Sequence, residues 1–244
     1  MEVHHHPDLH HQPKKWKEYF LEFLMIFLAV TLGFFAEQLR ENFVDHHLEK
    51  QYIQSLYEDL QTDTARLSFV INDDTRKINA FENLSGCYDT ISKNVNNCIC
   101  MEELIKFSRY NLNFETTGRT IQQLGNAGGY RLLSKEDADS IIVYEGLVTT
   151  YHNFESTVFQ QAQDNVRNTL NILLGFKANQ QLMNKEPNSQ SSLIFSGDKI
   201  LLNQCFNEFL LYQKVTNTQR NLLNGIMIKA KRLIEYYKNK YHLE

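Results

Sequence analysis

The stretch WKEYFLEFLMIFLAVTLGFFAEQLR, residues 16–40, decides the architecture. It holds no charged residue from Phe23 to Ala36, and with its interfacial ends it becomes the 21-residue segment 16–36. At ~1.5 Å per residue a helix of that length spans roughly 30 Å, the thickness of a bilayer's hydrocarbon core. The segment therefore predicts a membrane-crossing helix. Trp16, Tyr19 and Phe20 form an aromatic belt at one interface, with Lys14, Lys15 and Lys17 just outside it. The far flank, EQLRENFVDHHLEK, is mixed in charge and net acidic, so the lysine asymmetry predicts a cytoplasmic N-terminus. Residues 1–15 are then a cytoplasmic tail, and residues 37–244 an extracytoplasmic domain, periplasmic if the membrane is a Gram-negative inner membrane. Phe34 stands two residues before Ala36, so no small-x-small cleavage site follows the apolar run. Glu22 lies a turn inside the interface and is expected to snorkel toward the three lysines. Ala29 and Gly33 form a small-xxx-small pair of the kind that lets membrane helices approach.

The rest of the chain reads as helix. There are three prolines, at positions 7, 13 and 187, and ten glycines, four of them grouped at residues 118 to 129. Long stretches without either residue predict an all-α protein. The net charge of −4 and the lack of any Lys/Arg block point away from nucleic acid as a partner. Beyond the membrane, Ile53, Leu56, Leu60, Leu67, Val70, Ile78, Phe81 and Leu84 recur at helical spacing and mark one face of a long helix. Asp63 and Asp74 interrupt that seam. They suggest a face partly open to water, a break at residues 72–74, or, less favoured, a bound cation. GCYDTISKNVNNCICMEEL reads as a loop, followed by a short helix from about residue 101 to 112. Ser134 with Asp137 resembles a capping box and opens a helix that runs to about residue 176. Residues 183–193 are a polar connection, and a last helix spans about 198–241. One transmembrane helix continuing into a long helix, with an antiparallel bundle outside the membrane, is the predicted fold.

Two passages resemble the DUF6090 family of uncharacterised Bacteroidota single-pass membrane proteins. One is the anchor followed by EKQYIQSLYEDLQTD; the other is TTGRTIQQLGNAGGYRLLSKEDADSIIVYE. The opening MEVHHH is also similar to the start of some members. The resemblance covers about half the chain and implies a single-pass anchor with a helical extracytoplasmic domain. It implies no activity.

In the second passage, Gly125, Gly128 and Gly129 predict a compact turn that presses Leu124, Leu132 and Leu133 into the bundle. GNAGGYR lacks the Gly-Lys-Ser/Thr end of a phosphate loop and follows no strand. Thr117, Arg119, Thr120 and Gln123 form a polar patch beside the turn, a candidate contact for a ligand or partner. Catalytic signatures are missing outside the tail: the histidines there are His46, His47, His152 and His242, and that part of the chain holds no GxSxG, HExxH or Glu-x-x-His motif. The chain reads as a non-enzyme with no cofactor. Cys87 is placed to pair with Cys98 or Cys100 in an oxidising compartment, with free thiols an equal alternative, and Cys205 is alone in sequence.

The tail carries His4, His6, Asp8, His10 and His11, a candidate metal site that is weak and unselective. Added positive charge at an anionic leaflet as pH falls ranks above metal binding, and a passive tail above both. The expected function is a non-enzymatic inner-membrane protein whose periplasmic bundle mediates interaction or assembly, with a membrane protein partner or as a homo-oligomer. A ligand-sensing receptor module working through a separate cytoplasmic partner is the alternative.

Overall fold

The computed structural model describes residues 15–94, 99–126, 128–184, 193–195 and 197–243. The chain divides between Gln51 and Tyr52 into two units. The first is the leading part of α1 (Trp16–Ala80), and its residues 16–47 are exposed throughout. Its best 18-residue window has a mean hydropathy of 2.1, which makes α1 long and apolar enough to cross a membrane by length and composition. A surface of Phe, Leu, Ile and Val with nothing packed on it is what lipid, rather than water, would solvate.

The second unit is all-α. After α1 come α2 (Leu84–Lys93), α3 (Ile99–Arg109), α4 (Arg119–Asn126), a 3₁₀ turn (Gly129–Leu132), α5 (Lys135–Phe154), α6 (Gln160–Leu173), α7 (Phe176–Asn184) and α8 (Lys199–Tyr241). A single widened π turn, Glu155–Phe159, joins α5 to α6 without breaking the rod. Among the described residues there is no strand, and Leu174 and Ile194 form an isolated antiparallel bridge.

Local chemistry explains several boundaries. The Ser134 hydroxyl accepts from the Asp137 N–H, and the Asp198 carboxylate accepts from the N–H groups of Ile200 and Leu201. Each satisfies donors that a helix start leaves open, worth typically ~1 kcal/mol. Other boundaries differ from expectation. Residues 86–93 are helix rather than loop, because Leu84, Cys87 and Ile91 put an apolar edge against the core. The short helix runs Ile99–Arg109 instead of 101–112, and the rod that begins at Ser134 stops at Leu173. The helix does not break at residues 72–74, and the seam there is not open to water: Asp63 and Asp74 are both buried.

Two apolar clusters fill the second unit. One gathers Phe81 with α2, α3, α6 and residues 202–215 of α8. The other gathers residues 53–70 of α1, Phe114, Leu124, Leu133, α5 and residues 223–237 of α8. Tyr151, which stands on the apolar face of the helix from Ser134, is among the largest fully buried side chains, and so are Tyr144, Tyr212 and Tyr237, which the sequence pattern passed over. Ile142, Leu147, Val158, Leu210 and Ile228 are exposed.

Candidate functional site

The polar patch is built on two carboxylates of α1. Asp59 and Asp63, one helical turn apart, are 4% and 1% exposed and point at the segment that precedes α4. Asp63 Oδ1 accepts from the Thr117 N–H at 2.7 Å and the Thr117 hydroxyl at 2.8 Å. Its Oδ2 accepts from the Thr116 hydroxyl at 2.6 Å and the Tyr144 hydroxyl at 2.7 Å. Asp59 Oδ2 accepts from the N–H and hydroxyl of Thr120, and Oδ1 from the Arg119 guanidinium at 2.9 Å. Gly118 sits at the cap position of α4, where its carbonyl accepts from Gln122, but glycine has no side chain with which to cap. Asp59 supplies that oxygen from another helix, at the end where the helix dipole favours an anion. Gly118 itself has φ +52°, a conformation that turns these donors toward α1 and that a side chain resists.

Thr117, Arg119 and Thr120 all bond these two carboxylates; Thr120 is buried and Thr117 half-buried, while the Arg119 side chain stays 61% exposed. Gln123 is exposed and stands apart from the carboxylates. Arg66 reaches the same segment, donating to the Glu115 carbonyl and the Thr117 hydroxyl. Burial, then the Asp63 carboxylate, raises the Tyr144 pKa well above the ordinary phenol value, so its O–H stays a donor.

The glycine turn splits by position. Gly128 is left-handed at φ +63°. At Gly129 a Cβ would lie 2.9 Å from Leu124 Cδ2 and 3.2 Å from Leu124 Cα, so only glycine lets the chain cross Leu124. Gly125 takes no part in the turn; it lies in α4 with nothing within 4 Å of an added Cβ. Leu124 and Leu133 are buried and Leu132 half-buried.

Two further polar clusters were not foreseen. On α1, Lys77 pairs with Asp73 at 2.9 Å, lies 3.8 Å from Asp74 and donates to Asn111, while Gln219 on α8 donates to both oxygens of Asp74. Asp74 is fully buried, and burial outweighs Lys77 and Gln219 to push its carboxyl up to about 7. At the start of α5, burial acts to raise the Asp137 pKa, but hydrogen bonds from Lys240, Ser134 and Tyr241 together hold it below its usual value.

Cys87 is bonded to Cys100, with Cα atoms 5.8 Å apart. Cys205 is a free, buried thiol whose pKa burial pushes up to about 12. Cys98 and the histidines His4, His6, His10 and His11 lie outside the described residues.

One exposed apolar patch of the second unit is on α5. Ile142 and Val143 are each 53% exposed and Leu147 36%, with Gly146 between them open to approach. Exposed acids Glu136, Asp139 and Glu145 outnumber the one exposed base of α5, Lys135, around this face. A separate cavity of about 210 Å³ lies between the end of α3, α6 and α7, lined by Arg109, Tyr110, Arg167, Leu170, Asn171 and Met183.

These features define the class: an all-α protein with one helix able to cross a membrane and a second unit rich in buried carboxylates. Against protein-family models, curated proteins and solved structures, the chain gave no match.

Proposed function

We propose that the chain is a non-enzymatic, single-pass inner-membrane protein of the DUF6090 kind, with its N-terminus cytoplasmic and its helical domain in the periplasm. There the bundle docks a protein partner. The Lys14, Lys15 and Lys17 asymmetry supports the orientation. The Cys87–Cys100 bond supports it independently, because such bonds persist in oxidising compartments. The observation that carries the docking role is the α5 face: Ile142, Val143 and Leu147 form an apolar stripe with a glycine at its centre. A stripe at helical spacing suits an amphipathic helix, and the excess of acids around it selects one with basic flanks.

The test is photo-crosslinking on the full chain in its membrane. A benzophenone amino acid at position 142, 143 or 147 should yield one discrete adduct that the same probe at exposed Thr218 does not, and Leu147→Glu should abolish the adduct formed from position 143. An adduct of twice the chain's mass would identify a second copy instead of the basic helix. A chain monomeric at all three α5 positions would sink the docking role. Orientation is read by labelling an introduced cysteine at position 218 in intact cells; buried Cys205 is a poor reporter.

A further inference from the structure

The cavity between α3, α6 and α7 has an electrostatic imbalance. Arg109, the last residue of α3, is half-buried, and its guanidinium finds only neutral partners: the Met183 thioether at 3.0 Å and the Asn179 side-chain carbonyl. Its Nε is buried with no acceptor, and among the described residues no carboxylate pairs with it. Arg167 faces the same space. It donates to the Arg109 backbone carbonyl, and its single acidic contact is Asp164 at 3.3 Å on the open rim. Burial, with the neighbouring Arg167 charge as a further cause, lowers the Arg109 pKa. Two guanidiniums around one hollow, with a surface carboxylate on Arg167 alone, give the space a positive imbalance that an entering anion would offset.

The lining says what kind of anion. A carboxylate matches the planar fork of arginine, which grips two oxygens at once. The remaining wall is Leu170, Met183, the Tyr110 ring and one polar side chain, Asn171, a mostly apolar surface that offers a fully hydrated phosphate little but suits a short hydrocarbon tail. At about 210 Å³ the hollow is smaller than the roughly 300–1,000 Å³ of drug-sized ligand sites, so it takes a small molecule. We propose that this cavity binds a small organic monocarboxylate, its head on Arg109 and Arg167 and its short tail against Leu170 and Met183. The site is independent of the α5 face and stands whether or not that face docks a partner.

The probes are butanoate, acetate and inorganic phosphate, titrated into the full chain in mild detergent by calorimetry and by methyl NMR with ¹³C-methionine. Butanoate should bind at least tenfold more tightly than acetate or phosphate, and should shift the Met183 methyl resonance, assigned through Met183→Leu, while leaving the other methionines in place. Arg109→Met should weaken butanoate at least tenfold. Because that variant also loses the Asn179 contact, Tyr110→Ser serves as a second one: it touches only the exposed wall and should weaken butanoate several-fold with the fold intact. Arg232→Ala, on the surface of α8, should leave binding unchanged. Phosphate binding as tightly as butanoate would overturn the assignment, as would unaltered affinity in Tyr110→Ser or a Met183 resonance that does not move.

Discussion

Replacing Asp63 gives the most searching test of how the second unit is held together. In Asp63→Ala the Thr117 N–H and the Tyr144 hydroxyl lose their acceptor at 2.7 Å in each case, while the Thr116 and Thr117 hydroxyls can rotate to new partners. A buried donor left unmatched costs ~1–3 kcal/mol, so the two together cost about 4 kcal/mol. Against a typical domain stability of ~5–15 kcal/mol that is a large fraction. Asp63→Asn keeps an oxygen for Thr117 and turns an N–H2 toward hydroxyls that can accept, so it should cost only ~1–2 kcal/mol, the loss of charge assistance. Tyr144 supplies the internal control. Tyr144→Phe should cost ~1–2 kcal/mol in the wild-type background by removing one charged hydrogen bond. In the Asp63→Ala background it should cost nothing or stabilise, because it removes the orphaned hydroxyl. Urea unfolding of the full chain in detergent, followed by tyrosine near-UV circular dichroism, measures all four variants. An Asp63→Ala variant within ~1 kcal/mol of wild type, or Tyr144 and Asp63 effects that simply add, would refute the reasoning.

The remaining predictions concern other parts of the same unit. Asp74 holds its proton more tightly folded, at about 7, than at its ordinary value of 3.8, so its contribution to stability is fullest below 3.8 and declines as pH rises toward 7. Over those roughly three pH units the loss is at most ~4 kcal/mol. Asp74→Asn, whose amide also offers a donor to the unpartnered Gln219 oxygen, should gain on wild type progressively in melts between pH 4 and 8. A constant offset would contradict it. Gly128→Ala should destabilise by ~1 kcal/mol because of its positive φ, whereas Gly125→Ala, in the last turns of α4 and in open space, should raise the melting temperature slightly. Reducing the Cys87–Cys100 bond, which spans 13 residues, should cost up to ~3 kcal/mol, read as a lower melting temperature in dithiothreitol with none of that loss in Cys87→Ala.

Features that depend on neighbours in sequence were legible. The apolar run of residues 16–36 needs no partner to identify it, and the starts at Ser134 and Asp198 follow from caps acting two or three residues away. What failed depends on distance. Asp63 meets Thr117 from 54 positions off and Tyr144 from 81, and Asp74 meets Gln219 from 145. Seen alone, an aspartate on an apolar seam signals a wet face or a break, and only the partner turns it into a fixing point. Thr117, Arg119 and Thr120 are neighbours in sequence, because helix starts and glycine bends are local, yet the carboxylates they bond lie on a helix some 60 positions away. Gly118 carried a signal of its own, a glycine between Thr117 and Arg119 where a capping side chain is usual.

The buried polar groups also explain why the second unit has two apolar clusters instead of one. Along α8, Thr216 and Gln219 fall between Val215 of one cluster and Leu223 of the other; along α1, Asp73, Asp74 and Lys77 fall between Val70 and Phe81. The π turn Glu155–Phe159 sits at the corresponding place on the α5–α6 rod, running from just after Tyr151 of one cluster to Phe159 of the other, and Asn113 donates to Glu155 there. Apolar faces at helical spacing slide past one another by a turn at small cost, since a leucine meets a leucine in either register. A carboxyl matched to one glutamine and one lysine does not slide, because a displaced register leaves each of them buried and unmatched. Asp74 achieves this at a cost to its own ionisation, and the same cost makes the register's strength depend on pH near 7.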